Sequence, residues 1–307
     1  MKKSKRITGK ITLCLALFLL LIGVGSSAFA QPSTGIYVNY VYAPPNHLAD
    51  PETPAEEDLE IQVSVLHVGG AFTLEFAGGK TVLINQLDLR LFNIDYSNWD
   101  SAELGEDQVD KGYEITYTLF LLQTLSPKWQ LLAIAAPGLA SSFEAGVTWD
   151  DFRMEAALGA IRVFGERFSL GAGLAYTRDF GDPIPFPFLL VDWKISPKLS
   201  AFGLLPVSAN ITYNLSKRLD LGVIYELNGD LYHGDPDKWD VDNPQLEYTI
   251  AVLGPTVQLH VTEWLHLKVD GGWAFYHNFQ FKDGDKVESS LDLTQNFYVR
   301  GGVLFGM

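Results

Sequence analysis

Cysteine is almost missing from this 307-residue chain, since Cys14 is the only one. That excludes a disulfide-stapled fold and a cysteine-built metal cage. Basic residues are scarce as well: 22 Lys and Arg stand against 37 Asp and Glu, a formal net charge of −15. Nucleic acid is a poor partner for such a chain, because phosphates demand a basic surface. Long hydrophobic runs are confined to the first thirty residues. Nothing later approaches the ~18 consecutive apolar residues of a helical span. Catalytic signatures are lacking too. None of the six histidines (His47, His67, His233, His260, His266 and His277) sits in a His-Glu-x-x-His arrangement, and no Gly-x-Ser-x-Gly is present. We expect no enzyme, no cofactor and no metal centre.

What is present begins with an address. Lys2, Lys3, Lys5, Arg6 and Lys10 precede an apolar stretch from Ile11 to Val24, and Ala28-Phe29-Ala30 supplies small residues before a cleavage point. We expect residues 1–30 to be a secretory signal peptide, with Ala28 and Ala30 marking cleavage and 31–307 forming one domain. Removing it takes away five bases and no acid, leaving 17 basic against 37 acidic groups, a charge of −20.

Period-two alternation fills the rest. Leu87, Leu89 and Leu91 alternate with Asp88 and Arg90; Tyr113, Ile115 and Tyr117 with Glu114 and Thr116; Ile61, Val63 and Val65 with Glu60, Gln62 and Ser64. Leu219, Leu221, Val223 and Tyr225 face away from Asp220 and Glu226, and Leu265, Leu267 and Val269 from His266, Lys268 and Asp270. Successive side chains of a strand point to opposite faces. Several runs reach the ~10 residues that a tilted strand needs to cross a bilayer, whereas soluble strands average about five or six.

The connections are of two kinds. Short turns recur at Leu125-Ser126-Pro127-Lys128-Trp129, Ile195-Ser196-Pro197-Lys198-Leu199, Leu215-Ser216-Lys217-Arg218-Leu219 and Val261-Thr262-Glu263-Trp264-Leu265. Longer acidic stretches lie at 44–58, 97–112, 139–149, 233–245 and 281–289. That asymmetry predicts an all-β, antiparallel transmembrane β-barrel with short periplasmic turns and longer acidic extracellular loops. Strands are expected at 35–43, 60–76, 81–96, 113–124, 128–138, 150–164, 167–180, 186–195, 198–205, 207–215, 218–232, 246–261, 264–279 and 290–305. These number fourteen; twelve is the alternative if the short connection at Leu205-Pro206-Val207 joins no pair. Around Pro255 the alternation changes phase, which predicts a bulge. Trp99, Trp129, Trp149, Trp193, Trp239 and Trp264 fall near strand ends, as interfacial girdles do.

The register assigns Asp88, Arg90, Arg153, Glu155, Asp192, Lys194, Asp220, Glu226, His266, Lys268, Asp270, Asp292 and Arg300 to the lumen, and Leu221, Val223 and Leu267 to lipid. Neighbouring strands would pair the charges into ladders. Gly171, Gly173, Gly222 and Gly272 are expected to leave room for a plug or a solute, because fourteen strands enclose a lumen that wall side chains do not easily fill. Asp235-Pro236-Asp237-Lys238-Trp239-Asp240-Val241-Asp242 gathers carboxylates without the spacing of an EF-hand. It reads first as a solvated loop, and cation binding there stays open.

The chain ends Arg300-Gly301-Gly302-Val303-Leu304-Phe305-Gly306-Met307. Arg300, Gly302, Phe305 and Met307 resemble the C-terminal assembly signal of Gram-negative outer-membrane barrels, with Met307 in place of the usual aromatic residue. Leu131–Phe143 and Leu170–Ser196 resemble an uncharacterised outer-membrane barrel family of Gram-negative bacteria. There, Tyr176, Asp179, Phe180, Gly181, Pro183, Pro185, Asp192 and Trp193 occupy the family's positions. The resemblance implies a place in the outer membrane and partners in its lipid and in the barrel-assembly machinery, without an activity. We expect a passive porin-like channel for small polar solutes or a structural envelope protein. The alternatives are an outer-membrane enzyme acting on lipid or peptide, and a secreted soluble β-sandwich that binds a ligand.

Overall fold

The computed structural model describes residues 34–51, 53–98, 110–144, 146–177, 184–236, 242–284 and 286–306. The expected signal segment with Cys14, Ala28 and Ala30 lies outside them, as do Met307, Trp99, Trp239, the Asp179–Pro183 part of the family motif and the centre of the 235–242 loop. The strands are β1 (Gly35–His47), β2 (Glu60–Phe76), β3 (Thr81–Ser97), β4 (Lys111–Ser126), β5 (Trp129–Ser141), β6 (Phe152–Val163), β7 (Phe168–Thr177) and β8 (Ile184–Lys194). They continue with β9 (Leu199–Leu205), β10 (Ser208–Ser216), β11 (Leu219–His233), β12 (Pro244–His260), β13 (Leu265–Asp283), β14 (Lys286–Asp292) and β15 (Asn296–Gly306). One helical turn, α1 (Pro54–Glu57), follows Thr53, whose hydroxyl accepts from the Glu56 N–H at 3.3 Å.

Each strand from β1 to β13 pairs antiparallel with the next, and β15 closes the ring between β13 and β1. The result is a closed fourteen-strand antiparallel barrel, which removes both the twelve-strand count and the two-sheet sandwich. Closure lets the wall satisfy its backbone groups strand to strand, as a bilayer requires. The doubtful hairpin is real: β9 and β10 pair from Leu204↔Ser208 to Leu199↔Tyr213 around a two-residue turn. The turns at 77–80, 127–128, 164–167, 195–198, 217–218 and 261–264 and both described chain ends share one rim, where Gly35 pairs with Gly306, while the 206–207 turn lies at the other. We call the first rim the turn end, and the opposite rim the loop end.

β14 departs from expectation. The segment 281–289, read as a loop, continues as a β13–β14 hairpin, with Phe279↔Leu291 and Gln280↔Ser290 in register. The strand expected at 290–305 is therefore two strands. Between them Leu293 bridges to Leu48, and Asn46 bonds both the carbonyl and the hydroxyl of Thr294.

A second departure runs through β2, β3 and β11–β13. In the turn-end half, apolar side chains point outward and exposed: Leu87, Leu89 and Leu91 on β3, Leu221 and Val223 on β11, Leu253, Val257 and Leu259 on β12, Leu267 and Val269 on β13. This is a lipid-facing band. Exposed Trp129, Trp193 and Trp264 mark its turn-end border. In the loop-end half the sides exchange roles. Ile61, Val63, Phe92, Ile94, Tyr232, Leu246, Tyr248, Ile250, Val252 and Phe279 pack inside as one cluster. Asp95 stays exposed on the other face and accepts from Gln62 Nε2 at 3.2 Å. The apolar row of Ile61, Val63 and Val65 thus faces inward. The exchange falls on paired residues, Leu66↔Leu91 in β2–β3 and Leu253↔Trp273 in β12–β13. It is what a strand shows on leaving lipid for water.

That exchange accounts for the phase change near Pro255. On the β11 side the backbone pairs straight through (Val223↔Pro255); on the β13 side the pairs skip Gly254 and Pro255 without a change of register, and the irregularity is an extra residue, Phe275, on β13 opposite Ala251 and Val252. The lumen is also narrower than a fourteen-strand ring implies. At the loop end β5 reaches across to β11: Ser141 pairs with His233, whose carbonyl accepts from the Ser142 N–H at 2.9 Å. Phe92 stacks on Tyr232 across the interior at 5.2 Å. Nor do the inward glycines leave space. A Cβ on Gly173 would overlap the Leu158 carbonyl and the Phe188 ring, and one on Gly272 the Leu253 carbonyl; Gly171 and Gly222 are similarly crowded. They permit close strand contact and seat a ring.

Candidate functional site

Between the two halves lies a belt of buried charge. Arg90 of β3 donates to Asp230 Oδ1 of β11 at 2.7 Å and to Glu114 Oε2 of β4 at 3.3 Å. β3 and β11 are separated around the ring by β2, β1, β15, β13 and β12, so the Arg90–Asp230 pair spans the lumen. Arg153 of β6 extends it, 3.5 Å from Glu114 and 3.8 Å from Glu155. Glu114 also accepts from Thr116 at 2.6 Å, and Glu155 from Thr177 at 2.9 Å.

A second group is centred on Arg300 of β15. Its Nη1 and Nη2 donate to both carboxylate oxygens of Glu226 at 2.9 and 3.0 Å, and its Nε to Asp270 at 2.8 Å. Lys268 lies 3.5 Å from the other Asp270 oxygen. The guanidinium fork matches a carboxylate in a way that Lys cannot. Such buried pairs contribute little net stability, but removing one partner strands the other at a cost of about 3–5 kcal/mol. A third group gathers His67, Asp88, Gln86 and Tyr37. His67 Nε2 is 2.9 Å from Asp88, Gln86 Nε2 donates to Asp88 at 2.7 Å, and the Tyr37 hydroxyl bonds to Asp88.

Below the belt, on the turn-end side, the interior opens into a cavity of about 540 Å³. Thr256, Ile224 and Lys268 form its roof. Asn210, Thr212, Asn214, Asp192, Lys194 and Gln258 line it, with Phe202 set between Asp192 and Asn210 on the same wall. Asp220 and His260 stand at its mouth, beside the 195–198 turn.

Of the residues assigned to the lumen from sequence, Asp88, Arg90, Arg153, Glu226, Lys268, Asp270 and Arg300 are buried in the belt. Glu155 is partly buried with them, while Asp192, Lys194, Asp220 and His266 belong to the cavity or its mouth. Asp292 does not belong to either. It is exposed on β14, beyond the closed wall, and accepts from Asn278 at 2.7 Å; the expected continuous last strand is what had turned it inward. Glu114, Asp230, His67 and His260 were missed, although each continues the inward parity of its strand. Of the acidic stretches, the Asp283-Gly284 turn is occupied locally: Asp283 accepts from the Asn243 N–H at 2.8 Å, and Gly284 has φ +59°.

A family model described as a domain of unknown function (DUF6268) matches residues 26–304. No curated protein matches the sequence. Among solved structures the chain is similar to the COG4313 outer membrane channel from Pseudomonas putida F1, at 13% identity over 92% of this chain and 98% of that one, with a TM-score of 0.47. It is similar to the NanC porin at 8% identity (89% and 100% covered, TM-score 0.39). Outer membrane phospholipase A from Escherichia coli follows at 11% identity (89% and 93% covered, TM-score 0.33).

Proposed function

The chain belongs to the DUF6268 family, and from that premise we propose that it is a passive outer-membrane conduit for small polar solutes, held shut by side chains of its own wall. The cavity beneath the belt carries this reading. A void of about 540 Å³ lined by Asn, Gln, Thr, Asp and Lys side chains has the room and the polar partners to hold water, and Ile224 and Thr256 together with the paired charges of the belt separate it from the upper interior. We take the turn end as periplasmic, the arrangement general to such barrels, so the cavity is a periplasmic vestibule. Arg300 with Glu226, and Arg90 with Asp230, are the latch.

The reading is non-enzymatic. Asp220, His260 and His266 form a hydrogen-bonded chain at the vestibule mouth, but no serine or threonine hydroxyl is bonded to either imidazole among the described residues, as an activated nucleophile requires. An envelope protein with a permanently filled wall is the second reading, favoured by the packed loop-end core.

Conductance separates the two. A chain beginning at Gln31, refolded into planar bilayers after heat-modifiable migration is established, should give small or infrequent steps. Arg300→Ala and Arg90→Ala should raise conductance several-fold. Variants that fold and insert yet stay silent would replace the conduit with the filled wall.

A further inference from the structure

His260 and His266 are directly paired residues of β12 and β13, flanking the 261–264 turn. Their Nδ1 atoms lie 2.8 Å apart, with the rings edge to face at 4.8 Å between centroids. Nε2 of His260 is 2.9 Å from Asp220 Oδ2, and Asn214 Nδ2 donates to the other Asp220 oxygen at 2.8 Å. A carboxylate at Nε2 keeps the proton there and leaves the Nδ1 lone pair of His260 aimed at the second imidazole. A proton shared between the two rings satisfies this geometry in the free protein.

We propose that the pair is a binding site for a borderline divalent transition-metal cation of the copper, zinc or nickel class. Nδ1 of His260 and Nδ1 of His266 are the ligands, Asp220 is the carboxylate that orients His260, and water completes the coordination. Imidazole nitrogen suits these ions, and a ligating histidine ordinarily donates its other N–H to a carboxylate. Two nitrogens each about 2.1 Å from one tetrahedral ion lie roughly 3.4 Å apart. The rings therefore need to separate by about half an ångström, which side chains at a strand end beside a turn can do. The vestibule supplies room for the remaining water ligands. Among the described residues no group of three or more His, Cys, Asp or Glu is arranged around one point, so this is an open two-imidazole site and not a closed cage. No other described histidine has this setting: His67, His233 and His277 are buried, and His47 meets only Glu60, at 3.5 Å.

The site stands whether or not the barrel conducts. Folded, tag-free protein is titrated with copper(II) chloride and followed by calorimetry and electron paramagnetic resonance. One Cu²⁺ per chain with a two-nitrogen hyperfine pattern is expected. Asp220→Asn should weaken it about 10–100-fold, and His266→Ala and His266→Gln at least as much, while His47→Ala leaves it unchanged; all must keep heat-modifiable migration. Absence of stoichiometric Cu²⁺, equal binding in the folded His266 variants, or equal loss in His47→Ala would overturn the site. A barrel that binds Cu²⁺ but never conducts would keep the site and remove the conduit.

Discussion

On the turn-end side of the Leu66–Leu91 pair, the wall turns leucine and valine outward, and inward it turns both charge and a second apolar cluster that includes Val82, Ile84, Phe120 and Leu122; on the loop-end side, the same strands turn Phe92, Ile94, Tyr248 and Phe279 inward and Asp95 outward. Neither the backbone parity nor the pairing register changes at that line in β2–β3. What changes is the solvent. A strand in lipid must hide its polar groups inside, whereas a strand in water hides its apolar ones. The barrel is thus two proteins in series, a membrane wall and a projecting β domain with its own hydrophobic core. The charged belt sits where they meet.

The comparison can be broken at the core. Phe92→Ala removes a buried ring that stacks on Tyr232 and touches Tyr248, so it should destabilise the folded barrel by about 3–5 kcal/mol. Urea titration in detergent micelles reads this; a loss under about 1 kcal/mol would mean that the loop-end interior is not a packed core. Next is the lipid face. Val223→Arg places a charge in the apolar band at a cost of about 2–4 kcal/mol and should lower folding yield into liposomes. Asp220→Arg, at the mouth of the cavity, should lower it far less, and equal yields would refute the register. The smallest effect sharpens the boundary. Asp95→Lys lies on the outward face of β3, as Leu89 does, but beyond the exchange, and should change stability by less than about 0.5 kcal/mol.

Much of this was legible in the sequence, because membrane strands alternate and short turns repeat. Strand limits such as Glu60–Phe76 were recovered outright, and most of the belt followed from parity. Three features were not. The reversal at Ile61, Val63 and Val65 was hidden because alternation gives two faces and does not say which solvent each one meets. The phase change near Pro255 resembled a bulge for the same reason: Leu246, Tyr248, Ile250 and Val252 are apolar toward the core, and Leu253, Val257 and Leu259 are apolar toward lipid. Partners across the lumen, such as Arg90 with Asp230 or Ser141 with His233, depend on how far the ring is flattened. No local pattern encodes that.

The exchange of faces is tested most directly on β3. Spin labels are placed at Leu89→Cys and Asp95→Cys in a chain without Cys14, and the protein is reconstituted in lipid bilayers. Both positions share the outward face. The label at 89 should collide with dissolved oxygen and escape a water-soluble nickel chelate, and the label at 95 should do the opposite. Two labels that both favour oxygen would place the whole strand in lipid and contradict the division of the barrel into a membrane wall and a water-exposed domain.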